Sequence, residues 1–225
     1  PYIEHGYHIF NIGIVILYNP TFKVVDAVND PLPEAQVYIK WPDGTLSPLP
    51  TYTDNNGFFN LEQVHAANYT FTIWWKSIIV QQTTVYVDSD GPYTIECRVY
   101  QLTVRVLGNN GAPVHGAYAV IYSEAGTVYD FKMTSTSGEA ISKLPEGKYG
   151  IEILYSTTYW LTAVTANATE PSKSITSTDT VTITLAEFPP PIWTTTGFLI
   201  LIAFIIIGML GIVAFLYMRR RLPKK

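Results

Sequence analysis

The sequence predicts an all-β ectodomain of two tandem β-sandwiches, followed by one C-terminal transmembrane α-helix. Three observations carry this prediction. Residues 197–217, GFLILIAFIIIGMLGIVAFLY, contain no charge, and a basic cluster follows at once. Two long stretches before that run repeat one another at an offset of 80–82 residues. Both copies are rich in Thr, Val, Ile and Tyr, which favour strands, and Gly/Asn/Asp/Pro turn signals break them every 8–12 residues, as in sandwiches.

Residues 1–21 form an N-terminal segment. Its apolar stretch His8–Tyr18 (HIFNIGIVILY) contains Asn11. About eleven residues fall well short of the roughly 20 that a membrane helix needs. Apolar side chains on both faces predict a buried strand, because an exposed apolar edge invites aggregation. The strand either completes the first sandwich or pairs with a neighbouring subunit by strand addition. Ile12, Ile14 and Ile16 are therefore candidate partner contacts. The chain begins at Pro1 without a signal-like run. A leader removed on maturation, or a longer parent chain, is expected.

Residues 22–100 and 101–186 are the two sandwiches. Pro31, Leu32, Ala35, Val37 and Ile39 of the first copy align with Pro113, Val114, Ala117, Ala119 and Ile121 of the second. Thr53, Gly57, Val64, Tyr69, Phe71 and Ile73 align with Thr134, Gly138, Leu144, Tyr149, Ile151 and Ile153. The two-residue drift fits single insertions in turns. Each copy reads as an antiparallel unit. Phe22 and Val24, and Leu102, Val104 and Val106, alternate along opening strands. Asn29-Asp30-Pro31 and Gly111-Ala112-Pro113 reverse the chain. Asp54-Asn55-Asn56-Gly57 and Ser135-Thr136-Ser137-Gly138 are turns in which Gly supplies a positive φ. Tyr69, Phe71, Ile73 and Tyr149, Ile151, Ile153 mark strands with one buried face.

The run of turn, Pro-apolar-x-x-Ala, Thr-x-x-x-Gly and closing Tyr-x-apolar resembles the carboxypeptidase regulatory-like domain. That domain is a transthyretin-like, Ig-like sandwich, and is also similar to collagen-adhesin B repeats. The second copy carries the fuller form: GAPVHGAYAVI, TSTSG, LPEGKYGIEI. The first has Ala67-Asn68 where the family has Gly before the aromatic. The resemblance covers about residues 22–99 and 102–186. It implies an extracellular spacer or interaction module without catalytic residues of its own. The whole recipe of disulfide-free sandwiches, sequons and one C-terminal span resembles archaeal cell-surface proteins.

Residues 187–193 read as a Pro-rich stalk, since three successive prolines favour extended polyproline II. Residues 194–218 form the transmembrane helix: about 20 apolar residues at ~1.5 Å each cross the ~30 Å hydrocarbon core. Trp193 and Tyr217 occupy the two positions where amphipathic aromatics anchor a span at its interfaces. Arg219, Arg220 and Arg221 open the basic tail, 219–225, and mark the cytoplasmic side. Gly208 and Gly211, with Ala214, make a small-residue stripe that permits close helix packing. No charge lies within the span, so no ion path is implied.

Charge narrows the function. All 18 acidic residues and nine of the 14 basic ones precede Trp193. The ectodomain is thus at −9 against +5 in the tail, which together make the net −4 of the chain. An acidic ectodomain argues against nucleic acid, which needs a basic face. The single cysteine, Cys97, excludes an intrachain disulfide and is expected to pack as a small hydrophobe.

No nucleophile–base–acid set is legible among His5, His8, His65 and His115, and no G-x-S-x-G, H-E-x-x-H or C-x-x-C occurs. No catalytic residue and no cofactor is expected. Glu4, His5 and His8 are close enough in sequence to bind a metal, but an isolated pair of this kind is more often solvated. Asp88 and Asp90, in Asp-Ser-Asp-Gly, place hard oxygens at alternate positions as Ca²⁺ requires, although ordinary turns use the same residues. Asn68 (Asn-Tyr-Thr) and Asn167 (Asn-Ala-Thr) are sequons for N-linked glycans. Trp74 and Trp75 are adjacent on a strand, so one is expected in the core and the other at the surface as a partner contact.

These readings lead to a non-enzymatic single-pass cell-surface protein, with its N-terminal ectodomain outside and its C-terminus in the cytoplasm. It would act as a structural anchor, spacer or docking module for a surface assembly. Two alternatives stay open: an accessory subunit of a larger membrane complex (transporter, respiratory enzyme or peptidase), or a surface receptor for glycans or Ca²⁺.

Overall fold

The computed structural model describes residues 15–221. The chain divides into two compact units, Pro1–Tyr100 and Gln101–Lys225. The first contains β1 (Leu17–Tyr18), β2 (Thr21–Val25), β3 (Gln36–Lys40), β4 (Thr51–Tyr52), β5 (Phe58–Asn60), β6 (Val64–His65), β7 (Ala67–Trp75), β8 (Ile78–Val87) and β9 (Tyr93–Glu96). Strand β10 (Val99–Gly108) runs across the boundary. The second unit continues with β11 (Tyr118–Ser123), β12 (Val128–Met133), β13 (Glu139–Pro145), β14 (Gly147–Tyr159), β15 (Thr162–Ile175), β16 (Asp179–Leu185) and the helix α1 (Thr196–Arg221).

Each unit is a sandwich of a three-stranded and a four-stranded sheet. The orders are β5-β2-β9 and β4-β3-β7-β8 in the first, and β13-β10-β16 and β12-β11-β14-β15 in the second. Alternation sets the faces. Tyr69, Phe71, Ile73 and Trp75 of β7 point inward, while Asn68, Thr70, Thr72 and Trp74 point outward. Phe22 stacks on Phe59 at 4.9 Å and meets Phe71 at 4.8 Å in the first core. The matching positions of the second unit hold Val104, Ala140 and Ile151, all buried, so its core is aliphatic where the first is aromatic. Full burial of each large apolar side chain contributes roughly 1.5–3 kcal/mol.

The antiparallel expectation is corrected at one pair in each unit. β2 runs parallel to β9 (Val24↔Ile95), and β10 runs parallel to β16 (Val106↔Ile183). In each unit the first and last strands of the three-stranded sheet lie side by side and point the same way. Such pairing requires a long crossover, which here takes in the whole opposite sheet together with β5 or β13.

The duplication extends to the hydrogen bonds that close each sandwich. Thr53 Oγ1 donates to the Leu32 carbonyl at 2.6 Å and accepts from the Ala35 N–H at 2.9 Å. Thr134 Oγ1 donates to the Val114 carbonyl at 2.7 Å and accepts from the Ala117 N–H at 2.9 Å. Tyr69 donates its hydroxyl to the His65 carbonyl at 2.9 Å, and Tyr149 to that of Pro145 at 3.0 Å. Gly57 (φ +78°) and Gly138 (φ +75°) accept at their carbonyls from Val24 N–H and Val106 N–H.

Of the N-terminal apolar segment, Ile12 and Ile14 lie outside the described residues. The expected strand is present among the described residues only as β1, which pairs with β6 through Leu17↔His65 and Tyr18↔Val64. Ile16 is 62% exposed, and Val15 and Leu17 are also at the surface. Of the two expected arrangements, these three residues therefore do not complete the core of the first sandwich. The ladder to β6 is only two residues long, and the four-stranded and three-stranded sheets close over the core without them.

Candidate functional site

The feature of the second unit with most functional content is its junction with α1. From Thr196 to Ala214 the helix is long and apolar enough to cross a membrane, and none of it is buried. Its 19 residues span about 28 Å at 1.5 Å per residue. The Pro-rich segment before it, expected as a short extended stalk, is fastened to the unit. Asn109 N–H donates to the Phe188 carbonyl at 2.6 Å. Asn109 Nδ2 donates to the carbonyls of Ala186 (3.1 Å) and Pro189 (3.0 Å). The Phe188 ring packs edge-on against Tyr155 (4.8 Å) and Tyr159 (5.8 Å) of β14. Prolines donate no backbone hydrogen bond, so the fastening falls to the backbone N–H and side chain of Asn109 and to the Phe188 ring.

A 3-10 turn, Ile192–Thr194, then leads into the helix. Thr195 is fully buried. Its carbonyl accepts the first helical bond, from Leu199 N–H, and its hydroxyl donates to the Ile192 carbonyl at 2.6 Å. The turn between β14 and β15 satisfies two further N–H groups that a helix start leaves open. Thr196 N–H donates to Thr162 Oγ1 at 2.8 Å, and Gly197 N–H donates to the Trp160 carbonyl at 2.9 Å. A Cβ at Gly197 would stand 2.8 Å from that oxygen, so glycine is required there. The helix therefore begins hydrogen-bonded to the sandwich. Sequence reasoning missed Asn109, Phe188, Thr162 and Thr195. Each is a common residue in a loop or strand, and its role depends on partners distant in the chain.

Trp193 lies at this junction and is 68% exposed. A Cβ at Gly208 or Gly211 would meet nothing within 4 Å. Tyr217, Arg219, Arg220 and Arg221 fall in the last turns of α1.

In the first unit Trp75 is in the core at 9% exposure, and Trp74 is half-buried on the opposite face. Trp74 lines an open groove of about 570 Å³ with Gln36, Tyr38, Leu46, Ser47, Thr72 and Ser77. The polar lining on an otherwise apolar floor could accept a peptide or sugar edge. Asn68 and Asn167 are exposed on outer faces of β7 and β15.

Asp88 and Asp90 are already engaged in hydrogen bonds, Asp88 within its own turn and Asp90 with Asn19. Asp90 Oδ1 accepts from Asn19 N–H at 2.7 Å, and the Tyr93 hydroxyl, at 3.2 Å from Asp88 Oδ1, also receives the N–H groups of Asp88 and Ser89. Among the described residues no three His, Cys, Asp or Glu side chains gather into a set that could hold a metal. His65 is exposed beside the Tyr69 ring, and His115 Nδ1 lies 3.1 Å from the Thr134 carbonyl. Glu4, His5 and His8 lie outside the described residues.

Burial governs the perturbed groups. It pushes the Cys97 thiol from its usual 9.0 up to about 12, with Asp26 and Glu96 adding repulsion. It raises the Tyr149 phenol from 10.0 to about 12, and raises Tyr129 as well. The Tyr122 phenol is raised because it donates to Glu152 Oε2 at 2.8 Å. All four shifts favour the neutral, unreactive form. A thiol held protonated in this way is a core residue and not a nucleophile.

No protein-family model matches this chain, and no curated protein matches it. Among solved structures it is similar to the minor pilin GBS52 of Streptococcus agalactiae, at 13% identity over 77% of this chain and 98% of that one, TM-score 0.31. It is similar to the shaft pilin spaA of Lactobacillus rhamnosus GG, at 10% identity over 76% and 98%, TM-score 0.39. It is also similar to the Bacillus anthracis TIE protein, at 14% identity and TM-score 0.32. That match covers 76% of this chain and 34% of the other, so the chain spans about a third of that protein's length. Likeness at these scores assigns neither family nor function.

Proposed function

We propose that this chain is a non-enzymatic, single-pass cell-surface protein that anchors or docks a surface assembly. The observation that carries the reading is the join between the second sandwich and an unburied apolar helix. Hydrogen bonds from Thr196 and Gly197 to the β14–β15 hairpin couple the sandwich to the helix, as an anchor requires. In this reading the span holds the base, the ectodomain faces outward and the Arg219–Arg221 cluster faces the cytoplasm. The two units are carboxypeptidase regulatory-like modules of archaeal surface type. Their duplicated Thr, Gly and Tyr devices support common descent of the pair. Asn68 and Asn167 carry N-linked glycans, which their exposure allows.

The accessory-subunit reading is favoured by one specific observation: the apolar residues Val15, Ile16 and Leu17 are exposed in the same unit that carries the Trp74 groove. Extraction of native membranes in mild detergent, followed by native mass analysis, tests both. Co-purification with an extended surface layer or filament supports the anchor. A fixed stoichiometry with polytopic membrane subunits supports the accessory role and rejects the anchor. A lone chain with no partner at any detergent strength rejects both.

A further inference from the structure

The turn between β14 and β15 consists of Trp160 and Leu161, and both have positive φ, +47° and +62°. A two-residue turn of this hand suits Asn-Gly or Asp-Gly, because residues with a Cβ are strained there. Bulky apolar residues are the least suited. Both are nevertheless exposed, Trp160 at 48% and Leu161 at 70%. Folding of the sandwich does not require them, since neither is in its core.

The first unit supplies an internal control. Its β7–β8 turn is built the same way, with φ of +47° and +66°, and carries Lys76 and Ser77. The duplicated fold therefore accepts polar residues at this tip. The hairpin of the second unit is also longer: β14 has 13 residues against nine in β7, and β15 has 14 against ten in β8. Four more residues extend each strand by about 13 Å. Of these two tips that of the longer hairpin is apolar, and within its own unit it touches α1. The Trp160 carbonyl accepts from Gly197 N–H, and the Trp160 ring lies 3.3 Å from where a Gly197 Cβ would stand. Gly197 is in the first turn of the helix segment that is able to cross a membrane. Ile192 and Trp193, also exposed and apolar, lie just before it.

We infer that the Trp160-Leu161 tip is a second membrane contact, inserted into the interfacial zone of the bilayer that α1 crosses. The occupant of this surface is lipid, because the tip is hydrogen-bonded at the level where the span begins. An indole suits this zone, with its ring among the upper acyl carbons and its N–H among headgroups. Together with Trp193 the tip gives the second unit two points of attachment, so its tilt on the membrane is restricted. The inference rests on reading α1 as a span, and the test separates the two.

The full chain is reconstituted in phosphatidylcholine nanodiscs with one spin label at a time, at Leu161→Cys, Ile205→Cys or Ala125→Cys. Native Cys97 is 1% exposed and stays unlabelled. Ala125 is exposed in the β11–β12 turn, at the end of the sheet away from Trp160. Accessibility to oxygen and to a water-soluble nickel chelate is read at each site. The expected result is an oxygen-to-nickel ratio highest at Ile205, several-fold lower but still raised at Leu161, and lowest at Ala125. A Leu161 ratio equal to that of Ala125, with Ile205 still in lipid, overturns the tip contact and leaves the span intact. A water-exposed Ile205 overturns both. Trp160→Phe, which retains the turn, gives a label-free check. It should lower the quenching of tryptophan fluorescence by phosphatidylcholine brominated near the headgroup end of its acyl chains. Unchanged quenching counts against the contact.

Discussion

Thr134 and Val114 are joined by a hydrogen bond of 2.7 Å, from the threonine hydroxyl to the valine carbonyl, with both residues buried. The same oxygen receives the Ala117 N–H. One hydroxyl thus satisfies two backbone groups in the connection between β10 and β11. Thr134→Val keeps the shape and orphans both. It should destabilise the second unit by about 1–3 kcal/mol, read as a shift in the denaturant midpoint. Thr134→Ser should recover most of the loss, and Thr53→Val should act alike in the first unit.

Gly138→Ala should be more damaging than its size implies. The position has φ +75°, and a Cβ would stand 2.7 Å from the Val106 carbonyl oxygen. Left-handed backbone alone costs about 1–2 kcal/mol for a residue with a Cβ. That oxygen belongs to a core strand and cannot withdraw. A thermal melt should show a drop of several degrees. Gly126→Ala shares the positive φ but meets nothing within 4 Å, and should fall less.

Stability should decline in alkali. Burial holds the Tyr149 phenol at about 12 against an ordinary 10.0. The folded state keeps this proton while the unfolded chain releases it. The resulting stabilisation is complete below about pH 10 and is lost as pH rises through about 12. Tyr149→Phe also loses the bond to the Pro145 carbonyl and should be about 1 kcal/mol less stable near neutrality. Its deficit relative to the native chain should shrink between pH 10 and 12. A constant deficit across that window would show that Tyr149 does not titrate with folding.

Cys97 should react only when the first unit opens. It is 1% exposed and its thiol is pushed up to about 12. A maleimide should label the native chain at the rate of unfolding and the denatured chain at once. Fast labelling of the native chain would contradict the packing described here.

Trp74 and Trp75 should part company on truncation. Trp75→Ala empties a core position and should destabilise by about 3–5 kcal/mol. Trp74→Ala removes a half-buried side chain from an open groove and should lower stability by roughly 1 kcal/mol or less. If the groove docks a partner, Trp74→Ala should reduce co-purification of that partner while the chain stays folded.

Much of the fold was legible before any coordinates. The charge-free run is a compositional signal, and α1 covers it. Period-two alternation identified Phe22, Val24, Tyr69, Phe71, Ile73, Tyr149, Ile151 and Ile153 as inward, and all are buried. The duplication located Thr53 with Thr134 and Gly57 with Gly138 as equivalent pairs, without saying what they bond to. The fastening of the Pro-rich segment was not legible, because three prolines describe only local backbone preference. Nothing local to residues 187–193 reveals that Asn109 reaches them.

The sequence by itself determined the sandwich class, the repeat, the inward residues and the apolar helix. Those properties are periodic or compositional, and so are written in neighbouring residues. Tertiary structure alone decided that β2 and β9, and β10 and β16, close their sheets in parallel. It alone fastened the helix start to Thr162 and Trp160. These outcomes depend on backbone groups far apart in the chain. Any residue offers a backbone donor and acceptor, so residue identity does not record which partner is found.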